Sequence, residues 1–211
     1  MHHMIPKPTT KKPRTAPPEV RRKQLIDATI PCIARKGISG TTLNAIAKEA
    51  GLSLGLANFH FKSKDALLSE TLRHLAAEHR DMWLRDVQRD ELSDADKLRS
   101  MVSSQFHPRI CSRKKLAVWF AFFGEAHHRK TYRSISSRID MERQQLCAEL
   151  CSNIIAEGAY PLTDADEVAQ TLEGMFDGLW LNMLMYPDKF TRETAERQVV
   201  GYLRLVFARH F

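Results

Sequence analysis

Apolar residues recur every three or four positions along most of the chain, which is the spacing that one face of an α-helix requires. No stretch alternates between apolar and polar residues as a half-buried strand would. The first helical face runs from Val20 to Lys36. Pro31 should kink that helix because proline has no backbone N–H, and Gly37 should end it. The pattern predicts an all-α protein.

The segment after this helix predicts two unusually short helices separated by a glycine turn. Thr41 or Thr42 can cap the first of them, and Gly51 should stop it in a left-handed conformation. Ser53 can cap the second short helix, and Ser63 can cap the long helix that follows.

This spacing is typical of a helix-turn-helix over about residues 42–61. Two short helices cross closely only when a small residue lies at their contact, and Ala47 stands four residues before the turn glycine, Gly51. The second helix of such a motif enters the major groove of DNA and presents its exposed side chains to base edges. The alternative is an ordinary helical hairpin without a partner.

Positive charge is concentrated in the first part of the chain. Residues 1–80 contain 14 Lys and Arg against 6 Asp and Glu, whereas residues 81–211 contain 18 against 19. A basic segment on a near-neutral body favours a polyanion partner for one end only. The Ser53 hydroxyl at its helix start can meet a phosphate, and Lys62 and Lys64 can neutralise neighbouring phosphates.

Several general features narrow the class of protein. Residues 1–18 hold five prolines and four basic side chains, which predicts a flexible basic arm. No run of 18 apolar residues and no signal-peptide core is present, so we expect a cytoplasmic protein without a membrane partner. The four cysteines follow no disulfide spacing and are expected to be reduced thiols: Cys32, Cys111, Cys147 and Cys151.

Metal and enzyme motifs are incomplete. Glu125-x-x-His128 has the spacing of di-iron bundles but lacks a second copy, and His74 and His79 are five residues apart, which places them on different helix faces. No phosphate-binding loop or nucleophile elbow is present. We expect no metal, no cofactor and no enzyme activity, with a helical metalloenzyme as the competing class.

The residues from Arg21 to about Leu75 resemble the TetR-type transcription regulators. The resemblance is carried by "RRKQLIDATIPCIARKGISGTTLNAIAKEAGLSLG" and "FHFKSKDALL". It implies about nine helices, with a DNA-binding domain over residues 19–79 and a ligand-binding and dimerisation domain over residues 80–211. The family commonly has tyrosine where this chain has Asn58, an amide that can read adenine. Positions implied to face DNA or its backbone are Thr42, Ser53, Leu54, Asn58, Phe59, His60 and Lys64.

Three later segments resemble the BetI branch of that family, the choline-responsive repressors of glycine betaine synthesis. They are "VWFAFFGEAHH", "LCAELC" and "GMFDGLWLNMLM". A quaternary ammonium has no hydrogen to donate, so aromatic faces and a carboxylate must hold it. Candidates for such a cage are Trp119, Phe122, Phe123 and Trp180, with Asp177 or Glu125 as the counter-charge. The alternatives are a plain aromatic core, or a pocket for a drug, an acyl or an aromatic ligand.

Apolar stripes near the C-terminus predict a homodimer interface. They repeat at helical spacing on two neighbouring helices, which two copies can bury as a four-helix bundle. The residues concerned are Leu172, Met175, Phe176, Leu179, Met183, Val199, Leu203, Val206 and Phe207. Trp180 could equally belong to this interface, and the alternative is a closed monomer core. A twofold dimer suits a near-palindromic operator, because its two recognition helices then meet successive half-sites.

Together these patterns predict a homodimeric, sequence-specific repressor that a small-molecule inducer releases from double-stranded DNA. A protein that coats DNA without sequence preference is a further alternative, and it would be indifferent to operator sequence.

Overall fold

The computed structural model describes residues 16–127 and 129–211, and these contain nine helices and no strand. The helices are α1 (Pro18–Gly40), α2 (Leu43–Glu49), α3 (Leu54–His60), α4 (Lys64–Val87), α5 (Asp94–Gln105), α6 (Arg113–Ala126), α7 (Lys130–Gly158), α8 (Ala165–Met185) and α9 (Arg192–Val206). The all-α prediction is confirmed. Most of the predicted basic arm lies outside the described residues. No helix within them is long and apolar enough to cross a membrane.

The first helix is interrupted at Gly37 and continues through Pro31. Its backbone leaves helical geometry only at Gly37, where φ is 67° and ψ is 178°. This conformation is essentially restricted to glycine. The prediction of a break at Gly37 is confirmed, and the backbone dihedrals stay helical at Pro31, where the sequence predicts a kink. Thr41 is buried and its Oγ1 donates to the Gly37 carbonyl at 2.7 Å, so the cap of α2 falls to Thr42.

Side-chain caps begin α3 and α4 where the sequence predicts them, and α8 begins with a cap as well. Ser53 accepts from the N–H of Leu56 at 3.1 Å, and Ser63 starts α4 in the same way. Asp164 accepts from the N–H of Glu167 at 2.9 Å. Each cap satisfies a backbone donor that the helix itself leaves free and contributes ~1 kcal/mol.

Two hydrophobic clusters meet along α1 and α4. The smaller one holds α2 and α3 against these two helices, and the larger one fills the space between α4 and the C-terminal helices. The adjacent residues Leu67 and Leu68 of α4 belong to different clusters. Because α4 is continuous, it passes through the boundary predicted at residue 79 and joins both parts of the molecule.

The apolar stripes of α8 and α9 are buried within the single chain. Seven of the residues predicted to form the dimer interface are no more than 7% exposed: Leu172, Phe176, Leu179, Met183, Val199, Leu203 and Phe207. A second copy cannot reach these side chains, so the interface prediction is corrected for them. They are core residues, because α8 packs on α6, α7 and α9 while α9 also packs on α5. Met175 and Val206 are half-buried.

Candidate DNA-binding surface and ligand pocket

Helices α2 and α3 form a helix-turn-helix with a tight contact between its two helices. Ala47 and Ala57, which are 1% and 0% exposed, allow this close approach because neither has a side chain beyond Cβ. Gly51 turns the chain with φ of 66°, and the N–H of Leu52 then donates to the Ala47 carbonyl at 2.9 Å. We call residues 41–62 the reading head. Its α3 stands on the surface, with only Ala57 fully buried.

The outward face of α3 carries three of the residues predicted to contact DNA. Leu54 is 42% exposed, Phe59 is 78% exposed, and Asn58 is exposed between them in sequence. His60 is half-buried, and the Phe59 ring lies edge-on to its imidazole at 5.2 Å between centroids. Thr42 and Ser53 are also exposed, although their hydroxyls serve as helix caps.

Two basic side chains anchor the reading head to the rest of the domain. Lys64 is half-buried and its Nζ donates to the Ile38 carbonyl at 3.0 Å, which satisfies an acceptor just after the break in α1. Sequence reasoning missed Arg22, whose Nη1 donates to the His60 carbonyl at 3.0 Å. Its guanidinium lies 4.4 Å from the centre of the Phe61 ring. No local pattern distinguishes Arg22 from the basic residues on either side of it, because both of its contacts are made with residues distant in sequence.

An aromatic-walled cavity of about 510 Å³ lies among α4, α5, α6, α7 and α8. Trp119 and Trp180 line it with ring centroids 6.2 Å apart, and Phe123 follows 5.9 Å from Trp119. The indole N–H of Trp180 donates to the Gln105 carbonyl at 2.9 Å, which fixes the orientation of that ring. Three of the four aromatic residues predicted to form the cage therefore line one cavity.

His79 of α4 lies against both tryptophans. Its ring centroid is 5.5 Å from that of Trp180 and 6.2 Å from that of Trp119. The ring nitrogen Nε2 lies 2.9 Å from Gln105 Oε1. Burial, with the positive charge of Arg143 adding to it, lowers the pKa of His79 to about 3. The neutral imidazole then donates from Nε2, because the amide oxygen can only accept.

Three carboxylates and a buried arginine form the polar wall of the cavity. Arg143 Nε donates to Glu173 Oε1 at 2.8 Å, and its Nη2 donates to both Glu173 and Asp140. Burial raises the pKa of Asp140. Desolvation is the main cause that raises the pKa of Asp177, and the negative charges of Glu173 and Asp140 add to it. Asp177 is exposed at the rim of the cavity. Arg133 also lines the cavity, so its three carboxylates exceed its two arginines by one, which favours a cation in this space.

Three predicted residues are placed differently. Phe122 is 1% exposed and packs edge-on against Tyr132 at 5.1 Å, in the core beside the cavity. Glu125 accepts from Arg129 Nε at 3.2 Å and does not line the cavity. Phe176, predicted for the dimer interface, lines the cavity instead. One residue advances a helix by about 100°, so only Phe123 of the adjacent pair can face the ligand space.

The buried position of Arg143 could have been predicted from the sequence. It lies at helical spacing with Cys147, Leu150 and Ile154, all of which are buried. A charged residue on an apolar helical face must be paired inside the fold, because an isolated buried charge is too costly.

Among the described residues, no group of three or more His, Cys, Asp or Glu side chains is arranged to hold a metal ion.

Comparisons with known proteins agree with both parts of the structure. A model for bacterial regulatory proteins of the tetR family matches residues 25–71, and a model for the C-terminal part of BetI-type transcriptional repressors matches residues 94–208. The HTH-type transcriptional regulator BetI of Paraburkholderia xenovorans (strain LB400) is 33% identical over 199 residues, covering 93% of this chain and 98% of the relative. The chain therefore belongs to the TetR family of DNA-binding transcriptional regulators and, within it, to the BetI-type repressors.

Solved structures show the same fold. A protein from Pseudomonas aeruginosa PAO1 superposes with a TM-score of 0.80 at 25% identity, covering 92% of this chain and 93% of that chain. A protein from Saccharomonospora viridis, solved in complex with choline, superposes with a TM-score of 0.79 at 22% identity, covering 88% and 96%.

Proposed function

We propose that this regulator represses transcription as a homodimer and leaves its operator when choline or a related quaternary amine occupies the cavity. The observation that carries the proposal is the set of Trp119, Trp180 and Phe123 around one cavity with Asp177 at its rim. Aromatic faces attract a cation that has no hydrogen to donate, and a carboxylate supplies the counter-charge. The choline complex of the Saccharomonospora viridis relative supports this ligand class.

Helix α4 is the element through which ligand and DNA would be coupled. His79 places α4 against the tryptophans of the cavity, while Leu67 of the same helix packs into the smaller cluster beneath the reading head. A ligand that favours one position of α4 shifts the population between two placements of α3. Operator affinity and ligand affinity must then be linked reciprocally.

The dimer would use the outward faces of α8 and α9. Three glycines lie there with open space where a Cβ would be, which allows another helix to approach closely: Gly174, Gly178 and Gly201. Exposed apolar side chains stand on the same two helices: Leu181 at 44%, Met185 at 59% and Leu205 at 85%. Two copies joined in this way form a four-helix bundle, and their recognition helices would reach half-sites about 34 Å apart.

In the reading head, the side chains that we propose to meet DNA or its backbone are Thr42, Ser53, Leu54, Asn58, Phe59, His60 and Lys64. All of them are exposed or half-buried, so the surface that they form can be reached by a duplex.

A comparison of two ligands of equal shape tests the proposed cation cage. Choline should quench the tryptophan fluorescence saturably, whereas its uncharged isostere 3,3-dimethylbutanol should bind at least ~30-fold more weakly, because a desolvated cation–π contact contributes about 2 kcal/mol or more. Choline should also lower the affinity for operator DNA, measured by fluorescence anisotropy of a labelled duplex.

Two aspartates of this chain supply the matched variants. Asp177→Asn should remove much of the preference for choline, while Asp188→Asn, in an exposed turn away from the cavity, should leave it unchanged. Equal affinity for both ligands would show that shape alone selects. Saturable choline binding that left operator affinity unaltered would contradict the proposed release.

A further inference from the structure

The outward surface of α3 is apolar to a degree that is unusual for a helix facing DNA. Phe59 exposes 78% of its surface and Leu54 exposes 42%. Both stand on a helix that is only seven residues long. Exposing an aromatic ring costs free energy that burial elsewhere would recover, and large exposed apolar groups mark binding surfaces.

Positive charge surrounds this apolar face but is absent from it. Residues 53–60 read SLGLANFH and contain no Lys, Arg, Asp or Glu. Lys48 at the end of α2 and Lys62 just after α3 are exposed, and neither forms an ion pair within the part of the chain that the structure describes. The flanking charges can therefore bind phosphates, which leaves base contacts to the uncharged groups of α3.

The chemistry of the major groove limits what such a face can recognise. Guanine is usually read there by Arg or Lys, and cytosine by Asp or Glu, and α3 offers none of these. The apolar group in the groove is the C5-methyl of thymine, which suits Leu54 and Phe59. Adenine presents the N6 donor and N7 acceptor that the Asn58 amide can bind with two hydrogen bonds.

We infer that α3 reads thymine methyl groups through Leu54 and Phe59 and adenine through Asn58, so that the centre of each operator half-site consists of A·T pairs. The inference rests on the DNA-binding role of the family and adds the base class that this chain selects. It also explains why an aromatic ring is left exposed in the free protein.

Selection from a pool of duplexes with random sequence tests the inference and does not require a known operator. The full-length protein should enrich a near-palindrome whose half-sites contain A·T pairs at their centres. Replacing thymine by deoxyuridine at one such position removes only the methyl group, and should weaken binding about fourfold if that methyl is buried against the protein. Deoxyuridine placed outside the half-sites is the control and should change nothing.

Variants of the protein test which side chain of α3 contacts which base. Phe59→Ala and Leu54→Ala should bind more weakly and should each lose the response to deoxyuridine at one thymine position. Asn58→Ala should lose the response to 7-deazaadenine, which lacks the N7 acceptor and should weaken the wild-type protein about fivefold or more. These side chains lie outside the two buried clusters, so circular dichroism and thermal melting should show folded variants.

The possible outcomes distinguish failure of the proposed thymine reading from failure of sequence-specific DNA binding. An enriched sequence with G·C pairs at the half-site centres, or affinity unaffected by every deoxyuridine substitution, would overturn the reading of thymine methyl groups but leave the regulator intact. Failure to enrich any sequence would overturn specific DNA binding itself.

Discussion

His79 is an ionisable residue that the fold holds without charge. Burial and the neighbouring Arg143 lower its pKa to about 3, whereas the same side chain in the unfolded chain titrates near 6.5. Between these values the unfolded state binds more protons than the folded state. Stability contributed by neutral His79 is therefore present above pH ~6.5 and is lost as the pH falls toward 3.

We expect His79→Gln to remove this part of the acid sensitivity. Glutamine can still donate to the Gln105 amide but cannot be protonated. Between pH 7 and pH 5 the wild-type free energy of unfolding should fall by about 2 kcal/mol more than that of the variant. Urea denaturation at the two pH values measures the difference, and parallel losses in both proteins would show that His79 gains its proton without unfolding.

Only part of the cavity lining could be predicted from the sequence. Trp119, Phe123, Asp177 and Trp180 were recognisable because a cation cage requires aromatic and acidic side chains at helical spacing, and the structure brings them to one cavity. Phe122 satisfied the same pattern and lies in the core. The spacing of residues along a helix shows which of them share a face, but it does not show whether that face packs in the core or lines a cavity.

At the scale of elements, the break in α1 depends on a single residue. Gly37 has φ of 67° and ψ of 178°, and the Gly37 carbonyl accepts from Thr41 while Lys64 holds the next carbonyl at Ile38. These contacts place the reading head relative to α1 and α4. A residue with a Cβ would resist this conformation even though no atom lies within 4 Å of the Cβ position.

We expect Gly37→Ala to lower the free energy of unfolding by about 1–3 kcal/mol through backbone strain alone. Gly124→Ala in α6 is the matched control, because Gly124 is exposed, helical and equally free of neighbours around its Cβ position. It should raise stability by about 0.5–1 kcal/mol, since alanine favours a helix. Chemical denaturation of both variants measures the pair, and equal stabilisation would mean that Gly37 relaxes readily into the helix.

The helix ends were the most predictable part of the fold. Thr42, Ser53 and Ser63 all cap the helices that they were expected to cap, because a cap depends on three or four consecutive residues. Pro31 shows the limit of such local rules. It removes one backbone donor, yet the helical dihedrals of α1 continue through it.

In the whole molecule, two nearby leucines of α9 have different roles: one packs in the core of the single chain, and the other lies on the proposed dimer face. Leu203 is 0% exposed in the single chain, whereas Leu205 is 85% exposed on the proposed dimer face. Leu205→Asp should give a folded monomer by analytical ultracentrifugation, with much weaker operator binding. Leu203→Asp should instead unfold the protomer, because an unpaired charge would be buried in its core.

A dimeric Leu205→Asp protein with unchanged operator affinity would place the interface on another surface of the molecule. The periodic stripe of α9 could not decide this from sequence, because the core of one chain and the interface of two chains have the same apolar spacing. Only the arrangement of α5, α8 and α9 shows which residues are already covered.

The division into two hydrophobic clusters bears on how such a protein can change over time. Every core residue contributed by the reading head belongs to the smaller cluster, and none belongs to the larger cluster beside the cavity. Substitutions on the two sides share no packing partners, so their effects on stability should be close to additive. Lineages of this regulator can therefore acquire a new operator or a new effector one at a time, without a compensating change in the other half.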